Sequence, residues 1–306
     1  MKNAYLAICY ICNENCIFCP CSKVEKQQGM ITDITELINT VNILKKDGVT
    51  DVTISGGEPT LHPNLPELVS YIQKKGMNVT ILSNSEKFAD VLFINKFMKL
   101  VTSKSIKVIT TLHSGVASEH EDANQTPKSF ERSIAGLHNL CNFGVRVIIK
   151  HCITKKNYKD LIAFFKYCDD TFEKNVDIQL CSIDYCGIPK NELENEKLTF
   201  KELKPFLEEL FDLHIEQNKV GIARNLYCIN IPLCSCDPYY WKYLPYRKKK
   251  MYSEYKDPHN QEMIDISDNV GIHQEYCKDC KMTTLCNGTY FTAYSAVGLD
   301  IVEPFQ

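Results

Sequence analysis

Cys12, Cys16 and Cys19 stand in the run Ile11-Cys12-Asn13-Glu14-Asn15-Cys16-Ile17-Phe18-Cys19, spaced C-x3-C-x2-C. Three thiolates this close can hold three irons of a cubane [4Fe–4S] cluster, because such clusters are carried on cysteine sulfur. A fourth protein ligand is missing from the run. One iron is therefore left open for chemistry, by the logic that separates open from closed metal sites. The competing readings are a zinc knuckle and a redox thiol cluster. Zinc sites usually pair one C-x2-C unit with another, and the x3 spacing fits that pattern poorly.

The segment Asp51-Val52-Thr53-Ile54-Ser55-Gly56-Gly57-Glu58-Pro59 is a short β-branched strand running into a Gly-Gly turn. Gly56 and Gly57 allow backbone angles and close approach that a side chain forbids. With the cysteine run ahead of it, this segment resembles the radical S-adenosylmethionine (SAM) superfamily. That family carries C-x3-C-x2-C after its first strand and Gly-Gly-Glu-Pro after its second. The resemblance implies that SAM binds the open iron, with backbone groups of Gly56, Gly57 and Glu58 receiving its amino group and Pro59 completing that cofactor-binding turn. It also implies SAM contacts from Phe18 near the adenine, and from Asn84, His113 and Lys150 at later strand ends. The implied chemistry is reductive cleavage of SAM to methionine and a 5′-deoxyadenosyl radical, which takes a hydrogen atom from a substrate. The enzyme would be an oxidoreductase fed by a flavodoxin- or ferredoxin-type electron donor.

A second set, Cys277, Cys280 and Cys286, is spaced C-x2-C-x5-C, and Cys234 in Ile231-Pro232-Leu233-Cys234 offers a fourth thiolate. It resembles the auxiliary-cluster extensions called SPASM and twitch domains. Full SPASM domains place a further cysteine where Tyr290 stands, so the single-cluster twitch form is expected, for two [4Fe–4S] clusters in all. A structural zinc site with four cysteines remains the alternative, and Cys236 competes with Cys234. Cys181 and Cys186, with Cys236, are candidates to face the substrate and return a hydrogen atom to a substrate radical. Asp184 is a candidate proton acceptor, an Asx turn at the strand end being its plainer reading. For most of the remaining cysteines the ordinary expectation is burial as small hydrophobes.

These groups need elements to hold them. Strands are expected at Ala4–Cys9, Asp51–Ser55, Asn78–Ser83, Ile106–Leu112, Val145–Ile153 and Val176–Ile183. Helices are expected near 33–47, 64–76, 86–101, 127–143, 156–170 and 199–218. In the first, Ile34, Leu37, Ile38, Val41 and Leu44 recur at helical spacing. Alternating strands and helices predict an α/β fold with a parallel sheet. By resemblance it is a partial (β/α)6 TIM-like barrel at 1–218, followed by a Cys-rich auxiliary domain at 219–306. Functional groups then gather at the C-terminal strand ends, where both motifs fall.

The chain has 306 residues, sixteen cysteines and a formal net charge of −3. That balance argues against nucleic acid as a partner. No apolar stretch approaches the length of a membrane span. With no signal-peptide pattern, this many cysteines point to cluster ligation in a reducing cytoplasm.

The substrate is the least legible part. Leu112-His113-Ser114, His120-Glu121-Asp122, Ser129-Phe130 and the distal cysteines look most like maturases of ribosomally made peptides (RiPPs), of the His-Xaa-Ser type. A peptide substrate is therefore expected, to be crosslinked, epimerised or oxidised. No separate leader-binding domain precedes the first strand, so leader recognition is expected to need either a separate leader-binding partner or the C-terminal extension itself. Tyr239, Tyr240, Trp241, Tyr243 and Tyr246 offer a groove, with Arg247–Lys250 facing an acidic leader; an aromatic mini-core is the plainer reading. The alternatives are a radical SAM enzyme acting on a sugar or cyclitol, and a non-catalytic metal-binding scaffold.

Overall fold

Each β-branched run of the first half becomes a strand whose alternate residues face opposite ways. A computed structural model describes residues 2–21, 29–244, 252–256, 264–265, 273, 275–298 and 301–305. Its strands are β1 (Lys2–Cys9), β2 (Asp51–Gly56), β3 (Asn78–Ser83), β4 (Ile106–Thr111), β5 (Arg146–Ile153) and β6 (Asp177–Ser182). They match the six expected strands to within a residue or two at each end. A seventh, β7 (Leu226–Ile229), pairs with β6, and β8 (Tyr252–Lys256) pairs with β1, both in parallel. The short β9 (Ile264–Asp265) runs antiparallel to β8. The order is β7-β6-β5-β4-β3-β2-β1-β8-β9, an open parallel α/β sheet consistent with a partial barrel.

The sequence reading ended the sheet at residue 218, yet strands beyond that point join both of its sides. Leu226-Tyr227-Cys228-Ile229 is only four residues long and sits among turn formers, which hides its period.

Helices fill the connections: α1 (Ile34–Lys46), α2 (Leu65–Lys74), α3 (Val91–Leu100), α4 (Ala117–Asn124), α5 (Ser129–Asn142) and α6 (Leu161–Thr171). The one-turn α7 (Leu193–Glu196) precedes the long α8 (Phe200–Lys219), and α9 (Phe291–Val297) lies near the C-terminus. A capping box opens α8: Glu202 N–H donates to Thr199 Oγ1 at 3.1 Å, and Thr199 N–H donates to Glu202 Oε2 at 2.9 Å. Such caps are worth about 1 kcal/mol. No described helix is long and apolar enough to cross a membrane.

Strand alternation sorts the side chains. On β5, Ile149 and His151 are fully buried, and His151 stacks on Phe164 of α6 with ring centroids 4.0 Å apart. Lys150 and Cys152 point the other way, onto the concave face, where they meet Ile109 and Thr111 of β4 around a cavity.

Candidate active site at the C-terminal strand ends

The loop after β1 carries Cys12, Cys16 and Cys19, and three neighbours clamp its backbone. On one side Asn15 N–H donates to Asn124 O and Ile17 N–H to Ala123 O, each at 3.0 Å. On another, Gly57 N–H donates to Cys9 O and Glu58 N–H to Ile11 O, each at 2.7 Å. A Cβ on Gly57 would lie 2.1 Å from Ile11 O, and Gly56 has φ +130°, so the Gly-Gly pair is required by contact as well as by conformation. On the third side a Cβ on Gly187 would lie 2.2 Å from Cys19 O.

The helix that supplies Asn124 was not expected from sequence. Its segment, Ala117-Ser-Glu-His-Glu-Asp-Ala-Asn124, is polar nearly all round and buries only His120 and Asn124. It has no apolar stripe for periodicity to detect.

A cavity of about 440 Å³ opens over the clamped loop. Cys12, Cys16, Cys19, Phe18, Gly56, Gly57 and Glu58 line one part of it. Lys150, Cys152, Cys181, Asp184 and Tyr290 line another, and Asn84 and His113 also border it. Two expected site residues fall outside this lining. Pro59 is buried at the start of a 3-10 turn. Cys186 is exposed, its N–H bonded to Asp184 Oδ1 at 3.1 Å.

The Glu58 carboxylate is consumed within the protein. Oε1 accepts from Thr60 N–H at 3.0 Å, Thr60 Oγ1 at 2.6 Å and Ser83 Oγ at 2.7 Å, and Oε2 accepts from Asn84 N–H at 2.8 Å. Burial raises its pKa, and these hydrogen bonds oppose the rise. Asn84 is likewise engaged: its Nδ2 donates to Asn13 Oδ1 at 2.9 Å, and its Oδ1 accepts from Glu86 N–H at 3.1 Å. Glu86 in turn accepts from Asn13 Nδ2 at 2.8 Å and pairs with Arg132.

His113 is 4% exposed, and its Nδ1 is buried with no hydrogen-bond partner among the described residues. Burial holds its pKa well below the ordinary value, so the ring is neutral. Phe18 meets it edge-on with centroids 5.2 Å apart. Glu14 lies in the cysteine loop, 8% exposed. Burial pushes its pKa up to about 8. The Cys16 thiol donates to Glu14 Oε2 at 3.3 Å, and Asn124 Nδ2 donates to Oε1 at 2.9 Å. Neither Glu14 nor its role as an anchor was singled out in the sequence.

On the β5–β6 side, Cys152 and Cys181 are paired in register on adjacent strands. Cys152 beside Lys150 holds its ammonium above the ordinary value, against the opposing effect of burial. Tyr290 reaches in from the C-terminal segment. Its hydroxyl lies 3.9 Å from Cys181 Sγ and is hydrogen-bonded to Asn230 Nδ2. Thr292 Oγ1 donates to Asp184 Oδ1 at 2.6 Å, which docks the same segment on the end of β6.

The second cysteine set converges too. Cys234, Cys277, Cys280 and Cys286 line one smaller cavity of about 20 Å³; Cys236, buried nearby, is not part of it. Leu233 N–H and Gly288 N–H donate to Cys286 Sγ at 3.4 and 3.3 Å. Burial raises the Cys286 pKa, and these two backbone donors oppose the rise by favouring the thiolate form that metals bind.

The aromatic run divides. Tyr243 stacks on Phe211 with centroids 4.2 Å apart, and its hydroxyl bonds to His214 Nδ1 at 2.8 Å. Trp241 Nε1 donates to Leu233 O at 3.0 Å, and among the described residues of the run only Tyr239 is widely exposed. Tyr243 and Trp241 thus follow the mini-core reading. Tyr246 and Arg247–Lys250 lie outside the described residues.

The residues fit an iron–sulfur cluster with SAM beside it. Three cysteines border a cavity large enough for a small molecule, and the turn opposite is stripped of side chains. Comparisons with known proteins agree. The chain is 25% identical over 210 residues to Fe-coproporphyrin III synthase of Methanosarcina barkeri, covering 68% of this chain and 49% of that one. It is 28% identical over 156 residues to the mycofactocin maturase MftC of Mycobacterium tuberculosis, covering 51% and 38%. The chain therefore spans about half the length, or less, of these curated relatives. Its fold is like that of Streptococcus suis SuiB bound to precursor peptide SuiA, with TM-score 0.66 and 14% identity, covering 95% of this chain and 72% of that one. Residues 6–168, more than half of the chain, match the Radical SAM superfamily. The chain belongs to the radical SAM superfamily and is an enzyme of the kind that uses a [4Fe–4S] cluster and SAM.

Proposed function

We propose that this enzyme modifies a ribosomally made peptide, with Cys12, Cys16 and Cys19 holding its cluster. The observation that carries the site reading is the single cavity shared by those cysteines, the Gly56–Glu58 turn and the Lys150–Cys181–Asp184 wall. When bound, the cluster and SAM supply a carbon-centred radical able to take a hydrogen atom from an unactivated carbon. The chain's residues then bind and orient. The Gly56–Gly57 turn lets a ligand's amino group approach main-chain carbonyls. The neutral His113 and the Phe18 ring set edge-on to it give an L-shaped, weakly polar corner against which an adenine can pack. The Lys150 ammonium supplies positive charge for a carboxylate. In an epimerisation the Cys181 thiol would give a hydrogen atom to the substrate radical, leaving a thiyl radical that one electron from the external donor and one proton return to the thiol. In an oxidation Asp184 would accept the proton lost as the substrate radical passes an electron to the protein's cluster. Cys186, exposed and outside the lining, is the weaker donor candidate.

In the same proposal, residues from 219 onward act as the auxiliary unit, with Cys234, Cys277, Cys280 and Cys286 holding a second cluster. Tyr290 carries that unit into the core cavity four residues after Cys286. The mycofactocin maturase match supports a peptide substrate. The match to Fe-coproporphyrin III synthase favours a second reading, a small-molecule substrate.

The test is direct. The reconstituted chain is given reductant and SAM, and 5′-deoxyadenosine is measured. It is then co-expressed with the short peptide encoded beside its own gene, and the peptide is weighed by mass spectrometry. Absence of 5′-deoxyadenosine would overturn the chemistry. Deoxyadenosine with an unmodified peptide would favour the small-molecule reading.

A further inference from the structure

Glu14, Cys16 and His113 each bring a ligand atom within 4.8 Å of the other two. The three come from two elements far apart in the chain: Glu14 and Cys16 from the loop after β1, His113 from just past the end of β4. Cys16 Sγ already lies 3.3 Å from Glu14 Oε2. Asn124 Nδ2 holds the other carboxylate oxygen at 2.9 Å, so the carboxylate is oriented from behind. His113 supplies the independent observation. Its ring is 4% exposed, and its Nδ1 is buried without a hydrogen-bond partner among the described residues. A buried polar atom without a partner is costly, and native proteins rarely leave one.

We infer that the cluster-free enzyme has a mononuclear site, built from Glu14, Cys16 and His113, for a borderline divalent ion of the zinc class. The donor set is one sulfur, one imidazole nitrogen and one carboxylate oxygen, with the cavity side open to water. That is three protein ligands and a free position, a combination that zinc accepts. A dication there balances a thiolate and a carboxylate, which lets the buried Glu14 and His113 sit beside the half-buried Cys16 without net charge.

The site and the cluster exclude one another, because both need Cys16. That exclusion rests on the reading of Cys16 as a cluster ligand; the ion binding does not. Zinc held by the cluster-free chain therefore blocks cluster assembly until it is removed.

The probe is Co²⁺, added anaerobically to the cluster-free full-length chain. Absorption is read as the difference from Cys16→Ala, which keeps the four distal cysteines and so cancels their contribution. A thiolate-to-cobalt band is expected at one ion per chain. Cys12→Ala and Cys19→Ala should keep it. His113→Ala and Glu14→Ala should weaken binding at least tenfold. Loss in Cys12→Ala or Cys19→Ala with retention in His113→Ala would overturn the proposal in favour of a three-cysteine site. No difference band at all would also overturn it.

A second readout does not depend on the His113 and Glu14 variants folding. X-ray absorption of zinc bound to a Cys277→Ala, Cys280→Ala chain should show one sulfur at about 2.3 Å and nitrogen or oxygen at about 2.0–2.2 Å. Three sulfurs would overturn the site. In a separate arm, one equivalent of Zn²⁺ should slow cluster reconstitution of the Cys277→Ala, Cys280→Ala chain but not of the same chain carrying His113→Ala. If cobalt binds as stated and reconstitution is unaffected, the site stands and the cluster role of Cys16 fails.

Discussion

Glu58 Oε1 accepts a hydrogen bond from Ser83 Oγ at 2.7 Å, joining the end of β2 to the end of β3. The same carboxylate takes Thr60 N–H and Asn84 N–H, so one side chain holds the turn that faces the cysteine loop. Replacing Glu58 with Ala leaves those donors buried and unpaired. The expected loss is at least about 2 kcal/mol of folding stability, since each orphaned buried group costs about 1–3 kcal/mol. Urea unfolding of the cluster-free chain measures it. A loss below 0.5 kcal/mol, taken as roughly the scale of a neutral surface change, would show that the knot is not structural.

Gly57→Ala and Gly187→Ala each place a Cβ about 2 Å from a carbonyl oxygen of the cysteine loop. The loop must shift away, at a cost of about 1–3 kcal/mol for overpacking. Both variants should fold, yet load less iron into the first cluster. Iron content per chain after reconstitution checks this, and wild-type loading in both would contradict it.

Cys16→Ala should abolish 5′-deoxyadenosine formation and lower iron from about eight to about four per chain, by cluster ligation through cysteine. Cys280→Ala should also lose about four irons, yet keep SAM cleavage while product formation fails. Elemental analysis of anaerobically purified protein is decisive for the second set. Zinc there in place of iron would replace the second cluster with a structural metal.

His151 is fully enclosed against Phe164, and burial lowers its pKa to about 4. In the unfolded chain an ordinary histidine titrates near 6.5. As pH falls below about 6.5 the unfolded chain therefore takes up a proton that the folded chain refuses. Stability falls with pH down to about 4 and then levels. The share from this one group is about 1.4 kcal/mol per pH unit within that window. His151→Leu should flatten the urea-midpoint profile between those pH values. An unchanged slope would mean the ring is protonated in the folded state.

The two motifs and the order of the elements were legible because both rest on local chemistry. Cysteine spacing is a property of one loop, and β-branched runs announce strands by their own period. Six strands and the cysteine set near the C-terminus could be read that way. The four-residue β7 could not, because it is too short and sits among turn formers, and the polar helix α4 could not, because it carries no apolar stripe. Yet α4 supplies Asn124, which holds Glu14 and the backbone of the cysteine loop.

The sequence by itself determined the kinds of donors and the class of fold. It could not say which donors meet, since that depends on contacts between residues far apart in the chain. Only the tertiary structure separated Cys234 from Cys236 and removed Cys186 and Pro59 from the cavity lining. It also engaged the Asn84 side chain in tethering Asn13, and brought Tyr290 beside Cys181 across more than a hundred residues. The physical reason is packing. Strand register fixes which face a side chain shares, and the close approach of Gly57 and Gly187 to the cysteine loop fixes where its thiols point.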